Sequence, residues 1–498
     1  MKRNQILLNA LTTSAQVIGS AGTLFFLYRF LIRTIGIERL GIWSLVLATT
    51  SVVTLANQGF SAGIVKFVAK YVARQQPEEV SVFVQTAVTS IGLALGILSL
   101  GLYPGTKWML KLVLPQTSLG EAYSILPYAL ISLWMNVVGS VLQAGLAGHE
   151  LISHRNYVVL GGSLFYLLLS FALVPRFGLL GLAYSQTAQA VACLSVTWRL
   201  LRRQIPSLPF VPRRWSRALF DEMGKYGLQF QFITLTQAIR EPVTKGLLAK
   251  FGGLAAVGFY DMASRWVVTF RELIVQANQV LVPTVASLQE RDPEAIPGVY
   301  RESYRVIFFL AIPTFAFLTV ASPIVSRIWI GRFEPTFVCF VSLLALGWLV
   351  NVLSNPAYVV NLGTGALRWI SVGCLITAIL NVSLGLAAGK YVGGTAVVAA
   401  SVASLVLGYG VVLVAYHAEN RVSFRQLLPK ESIGIVLSSF AGTLIFMPFF
   451  SSPRVQVLLS LRVAFEIAAA LITIVVVPMW IHPMRKRLLR WALSRSPA

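Results

Sequence analysis

Apolar runs of roughly 20 to 25 residues recur along the whole chain, each closed by a short charged or Gly/Pro-bearing break. Wound as helix at about 1.5 Å per residue, such a run matches the hydrocarbon thickness of a bilayer. The pattern predicts fourteen spans, near 5–32, 40–64, 80–103, 122–146, 155–175, 178–200, 222–249, 254–282, 303–328, 336–360, 367–388, 393–416, 432–450 and 456–481. Connections of no more than about twenty residues leave no room for a separate soluble domain. The expectation is an all-α polytopic membrane protein. The seventh and eighth spans stand apart because they carry charges well inside the run.

Composition agrees with the pattern. Hydrophobic residues make up 56% of the 498 and charged residues 12%, with a mean hydropathy of +0.74. A soluble core of this size needs more charge to cover it. If the spans alternate and the N-terminus is cytoplasmic, 24 of the 41 Lys and Arg fall on the cytoplasmic side, 11 on the other face and six inside spans. That asymmetry predicts both termini inside and an even number of spans. It also explains the net charge of +23. Basic loops such as Arg199 to Arg217, and the tail Arg485 to Arg495, belong against anionic membrane lipids. No soluble basic module exists to bind nucleic acid. The basic start followed by an apolar run could be taken for a signal peptide, but thirteen similar runs follow, so an uncleaved first span is expected. Cys193, Cys339 and Cys374 are scattered among spans and form no disulfide framework.

The chain also repeats itself. GIERLGIW from Gly36 has a counterpart in GLAAVGFY from Gly253, and NVVGSVLQAGLAG from Asn136 has one in NVLSNPAYVVNLG from Asn351. The turn Arg176-Phe177 matches Lys390-Tyr391 at nearly the same offset. Three matches in order at one offset indicate a duplicated six-span unit. Six is even, so the second copy enters the membrane in the same orientation, as in transporters whose parallel repeats enclose a central site. The predicted organisation is an N-terminal lobe over 1–218, a C-terminal lobe over 219–420, and two appended spans with a basic cytoplasmic tail over 421–498.

Ionisable groups at bilayer depth are costly and point to function. The first lobe offers polar groups at Gln16, Asn57 and Gln58, and one cation, Arg29, near the outer end of span 1. The second lobe carries Arg240, Glu241 and Lys245 in span 7 and Asp261, Arg265, Arg271 and Glu272 in span 8. Asp261, Arg265 and Glu272 fall on one helix face. Two readings stay open. In one, the charges pair and fix spans 7 and 8 together, Asp261 with Arg265 and Glu241 with a cation across the gap. Alternatively they line a cavity, where four cations against three acids favour an anionic substrate and Arg suits phosphate oxygens. Glu241, Asp261 and Glu272 would then serve ion coupling. Catalytic devices are missing: there is no phosphate-cradling GxxxxGK[ST] loop, and GFSAG at Gly59 lies inside an apolar span rather than at a strand-to-helix turn. His149, His154, His417 and His482 share no metal-binding spacing. Neither a metal nor another cofactor is called for.

GIERLGIWSLVLATTSVVTLANQGFSAGIVKFVAKY (Gly36 to Tyr71), QAIREPVTKGLLAKFGGLAAVGFYDMASR (Gln237 to Arg265) and VLVPTVASL (Val280 to Leu288) resemble the polysaccharide-transporter branch of the multidrug/oligosaccharidyl-lipid/polysaccharide (MOP) flippase superfamily. The resemblance implies two six-helix lobes forming a V-shaped central cavity, plus two C-terminal helices. It implies a flippase that moves undecaprenyl-diphosphate-linked oligosaccharide across the bacterial inner membrane, driven by an ion gradient, for O-antigen and lipopolysaccharide, capsule or exopolysaccharide assembly. Partners would be the lipid-linked oligosaccharide and the polysaccharide polymerase and export machinery, with the protein itself a monomer. Arg240, Lys245, Arg265, Arg271 and Arg29 are then the candidates for the diphosphate. Two alternatives remain: a multidrug efflux transporter for organic cations, which the cationic surplus disfavours, and a membrane-embedded polysaccharide polymerase or glycosyltransferase, which usually needs a longer outer loop than 103–121.

Overall fold

The computed structural model describes residues 3–51, 64, 67–68, 71–72, 74–149, 151–279, 281–423, 427–428, 430, 432–451 and 461–485. Among them all regular structure is helical. The helices are α1 (Arg3–Thr34), α2 (Ile37–Ser51), α3 (Pro77–Val113), α4 (Gln116–Gly148), α5 (Ile152–Phe177), α6 (Leu179–Gln204), α7 (Arg217–Gln279), α8 (Leu281–Arg291), α9 (Ile296–Trp329), α10 (Pro335–Thr364), α11 (Arg368–Tyr391), α12 (Gly394–Glu419), α13 (Ser432–Ser451), α14 (Leu461–Leu471) and α15 (Val477–Ile481). A π-helical turn, Ile472–Val476, joins the last two. Each span predicted from hydropathy lies on one of these helices as far as the described residues reach. Spans 7 and 8 together form α7, which is broken where Gly253 leaves helical geometry at φ 79° and ψ 171°.

Nine helices among the described residues are long and apolar enough to cross a membrane: α1, α3 to α6 and α9 to α12. α13 and the α14–α15 run are shorter apolar helices. Their outer faces are apolar as well. Ile433, Leu437, Phe440 and Leu444 make an exposed stripe along α13, at a spacing that keeps one helix face. An uncovered stripe of that kind needs lipid as its solvent. This is a polytopic all-α membrane protein.

The chain divides into two compact units, Met1–Gly258 and Phe259–Ala498. In the first, Phe83, Val84, Val141, Leu142 and Leu201 build a core shared by α3, α4 and α6. In the second, Tyr300, Tyr304, Ala357, Val360 and Tyr416 join α9, α10 and α12. The helix partnerships repeat. α3 pairs with α4, α4 with α6 and α5 with α6; six spans later α9 pairs with α10, α10 with α12 and α11 with α12. The duplication seen in the letters is thus a duplication of packing. The second unit adds α13 on α9, where the buried Arg327 donates to the Phe450 carbonyl and Ile324 packs with Phe450 and Ile474.

The repeated motif has a physical reason. Gly36 and Gly253 both hold left-handed backbone, φ 84° and 79°, which turns the chain into the next helix. Five residues further on, Gly41 and Gly258 make a reciprocal contact. A Cβ on Gly41 would stand 2.0 Å from the Leu254 carbonyl oxygen, and one on Gly258 would stand 2.7 Å from that of Ile37. Ile37 and Leu254 hold the same place in their motif copies, so the copies meet through a local two-fold exchange. Backbone on the far side cannot yield cheaply. Gly41→Ala and Gly258→Ala should each cost about 1–3 kcal/mol, read as a fall in thermal unfolding temperature in detergent. Gly22→Ala, which meets nothing within 4 Å, should be neutral or gain up to about 1 kcal/mol from helix propensity.

Candidate functional site

The charged residues singled out in the sequence sit on α7, on both sides of the break. Before it, Lys245 is buried and its Nζ lies 2.7 Å from Oε1 of Glu241, one turn back. The Glu241 side chain is about half exposed. One cation that Glu241 meets is therefore on its own helix, four residues on. Arg240 is half-buried at the same level.

After the break, Asp261 is buried and its Oδ2 accepts from Nε of Arg265 at 3.0 Å, again one turn apart. Arg265 keeps 37% of its side chain exposed, against 3% for Asp261. The pair is thus asymmetric: the carboxylate is shut away and the guanidinium reaches an open edge. Glu272 shares their helix face by register but is exposed, so it stands in a different environment.

Arg271 is held from another helix. Its Nε donates to Oδ1 of Asn351 on α10 at 2.9 Å, and its guanidinium lies over the Trp348 ring, 4.9 Å from the centroid. Two turns further along α7, Nδ2 of Asn278 donates to Oδ1 of Asn355 at 2.7 Å. Ser303 on α9 donates to Oδ1 of Asn278, also at 2.7 Å. Asn351 and Asn355 are one turn apart on α10, and Arg271 and Asn278 two turns apart on α7, so each helix turns both members toward the other. Sequence reading missed this ladder. Its signal was Asn351 and Asn355 four apart in an apolar run, since buried carboxamides need partners.

The first-lobe candidates are less convergent. Gln16 donates to Ser20 at 3.4 Å, and Ser20 meets Ser163 of α5 at 3.2 Å. Asn156 of α5 donates to Thr12 and Thr13. These form a polar seam between α1 and α5. Arg29 is half-buried, far along α1 from that seam. Asn57 and Gln58 lie outside the described residues. Among the described residues no three His, Cys, Asp or Glu side chains are placed to hold a metal ion.

The fold is that of a polytopic helical membrane protein with charges on a long broken helix, and the comparisons set it beside known proteins. Residues 30–333 match the family described as polysaccharide biosynthesis protein. The chain belongs to that family. No curated protein matches it by sequence. Among solved structures, the lipid II flippase MurJ in an inward closed conformation is similar at a TM-score of 0.72 and 11% identity, over 98% of this chain and 100% of that one. An inward-facing multidrug resistance MATE family transporter of the MOP superfamily is similar at 0.70 and 16% identity, over 80% and 96%. An outward-facing MATE structure is similar at 0.60 and 16% identity, over 84% and 97%. At these identities the likeness is one of fold.

The ladder can be tested by itself. Asn278→Leu strips Asn355 and Ser303 of these hydrogen bonds in a buried site, at about 1–3 kcal/mol for each group left unsatisfied. Combining it with Asn355→Leu and Ser303→Ala should restore much of the loss. Thermal unfolding of the purified protein reads both.

Proposed function

We propose that this chain is a flippase that carries undecaprenyl-diphosphate-linked oligosaccharide from the cytoplasmic to the outer leaflet of the bacterial inner membrane. It works by ion-coupled alternating access, with both termini cytoplasmic, in the assembly of O-antigen, capsule or exopolysaccharide. The observation that carries the reading is the asymmetric pair on α7: a buried carboxylate, Asp261, holding a partly open guanidinium, Arg265. Membership of the polysaccharide biosynthesis family points the same way.

A diphosphate crossing the membrane needs cations at depth, because the Born cost of an uncompensated charge there is prohibitive. Arg265 and Arg271 supply them on the second arm of α7; Arg240, on the first arm, is a further candidate. Asn351 and Trp348 fix the direction of Arg271, which favours the bidentate geometry that phosphate oxygens accept. Lys245, buried against Glu241, and Arg29 add positive charge at longer range. The oligosaccharide needs water along its path, while the prenyl tail stays in lipid.

The same pair supplies the coupling. A phosphate that takes Arg265 competes with Asp261 for it. A carboxylate that yields this pairing at such burial favours an incoming cation, a proton or a sodium ion. Glu241 stands in the same relation to Lys245, and Glu272, being exposed, samples the aqueous side. Cation uptake thus accompanies substrate binding, and its release resets Asp261 on Arg265.

In cells that depend on this chain for surface polysaccharide, Arg265→Ala and Arg271→Ala should cut export roughly ten- to hundredfold, the equivalent of one charge-assisted hydrogen bond each. Lipid-linked oligosaccharide should accumulate in the cytoplasmic leaflet at normal protein levels. Unchanged export would remove both residues from the path. Asp261→Asn should leave substrate binding intact but flatten the dependence of transport on the ion gradient, measured in reconstituted vesicles. A gradient dependence equal to that of the wild type would assign coupling elsewhere.

A further inference from the structure

The segment after α6 reads PSLPFVPRRW from Pro206 to Trp215. Three prolines three residues apart rule out helix and remove backbone donors. Several of the donors that remain are taken up by α3. Backbone N–H groups of Arg213 and Arg214 both donate to Oε1 of Gln85, at 2.9 and 3.0 Å, and that of Ser216 donates to Thr86. Ser81 donates to the Ser207 carbonyl and the Trp215 indole to Ser90. The segment is therefore a strap fixed on α3, not a loose linker. It still leaves Phe210, Val211 and Trp215 exposed beside Arg202, Arg203, Arg213 and Arg214. Alternation of bare apolar and basic side chains is the chemistry of a membrane interface.

Under the strap lies an apolar groove of about 280 Å³, with Val138 and Leu142 of α4, Leu194 and Trp198 of α6, and Phe210 of the strap in its walls and Arg199 at its rim. A second groove, about 410 Å³ and lined by Tyr157, Phe165, Cys193 and Val196, runs along the other side of α6. Between the two, Val196, Arg199 and Arg203 follow one another on a single exposed face of α6. Among the described residues no acid pairs with Arg199, Arg203 or Arg213; the nearby Glu78 is taken by Arg214 at 3.1 Å.

We propose that this end of α6 is a binding site for one anionic glycerophospholipid, which straddles the helix with an acyl chain in each groove and its phosphate on Arg199 and Arg203. Two apolar grooves flanking one helix suit a two-chained lipid, and the cations at their common end select a negative headgroup. The bound lipid cements the strap to α3, α4 and α6.

Native mass spectrometry of the full chain, with phosphatidylglycerol and phosphatidylcholine offered equally, tests this. The wild type should retain one phosphatidylglycerol in preference. Arg199→Gln and Arg203→Gln should each lower that preference about fivefold, while Arg368→Gln, elsewhere on the surface, leaves it unchanged. Ser195→Phe, an exposed position on the rim of the first groove, and Gly161→Leu, which meets no neighbour within 4 Å beside the second, should lower occupancy by either lipid. Thermal unfolding confirms that these variants fold. Equal retention of both lipids by the wild type, an undiminished preference in the double arginine variant, or full occupancy in both groove-filling variants would overturn the site.

Discussion

A charge placed inside an apolar helix has to find its compensation within the protein, because lipid offers none. Much of the chemistry of this chain follows from how it meets that demand. Arg327 is answered by a backbone carbonyl on α13, Arg271 by a carboxamide and an indole on α10, and Lys245 and Asp261 by residues one turn away on α7. A buried ion pair contributes little net stability relative to apolar residues of the same shape, since desolvation offsets the attraction. Fastening helices together is therefore a weak reason to keep two such pairs on one helix. Exchange of partners is a stronger one. A pair whose cation reaches an open edge can be taken apart by a phosphate, and a pair within a single helix can re-form without moving any other element.

The backbone break sharpens this arrangement. Gly253 divides the α7 charges into two groups carried on separate arms, Arg240, Glu241 and Lys245 before it and Asp261, Arg265 and Arg271 after it. Each arm pairs an acid with a cation and carries one further arginine, Arg240 on the first and Arg271 on the second. The arms differ in support: Arg271 and Asn278 tie the second arm to α9 and α10, where the polar ladder sets its rotation.

The fold was legible because its signal is local. Twenty apolar residues closed by a charge or a glycine define a helix without reference to any partner, and the 249–254 gap fell at Gly253 because the repeated Gly36 motif marked it. The Asp261–Arg265 pair was legible for the same reason, being four residues apart. What escaped was what depends on distant packing. Arg271 meets Asn351 across 80 residues, and spacing along α7 gives no hint of it. The prolines of the strap announced a non-helical segment, but its fixation on Gln85 rests on one side chain 128 residues away.

Duplication accounts for where this chemistry could arise. Shifted by the 217-residue offset that relates Gly36 to Gly253, Tyr260 corresponds to Trp43, Asp261 to Ser44 and Arg265 to Ala48. All of them but Arg265 are buried. The two copies thus keep one steric frame, with a large aromatic and a small polar side chain in the same interior places, and the glycine contacts Gly41–Leu254 and Gly258–Ile37 preserve the geometry from which that frame starts. At these interior places the ionic pair belongs to the second copy. At the first copy's position a serine hydroxyl is a group small enough to bury cheaply, whereas a carboxylate there requires the arginine one turn on. Replacing Ser and Ala by Asp and Arg at positions already packed back to back on a helix is therefore a paired change: either charge alone is costly, and the two together make a site. An asymmetric transporter can be built this way on a symmetric scaffold, with one copy keeping Ser44 and Ala48 where the other carries Asp261 and its Arg265.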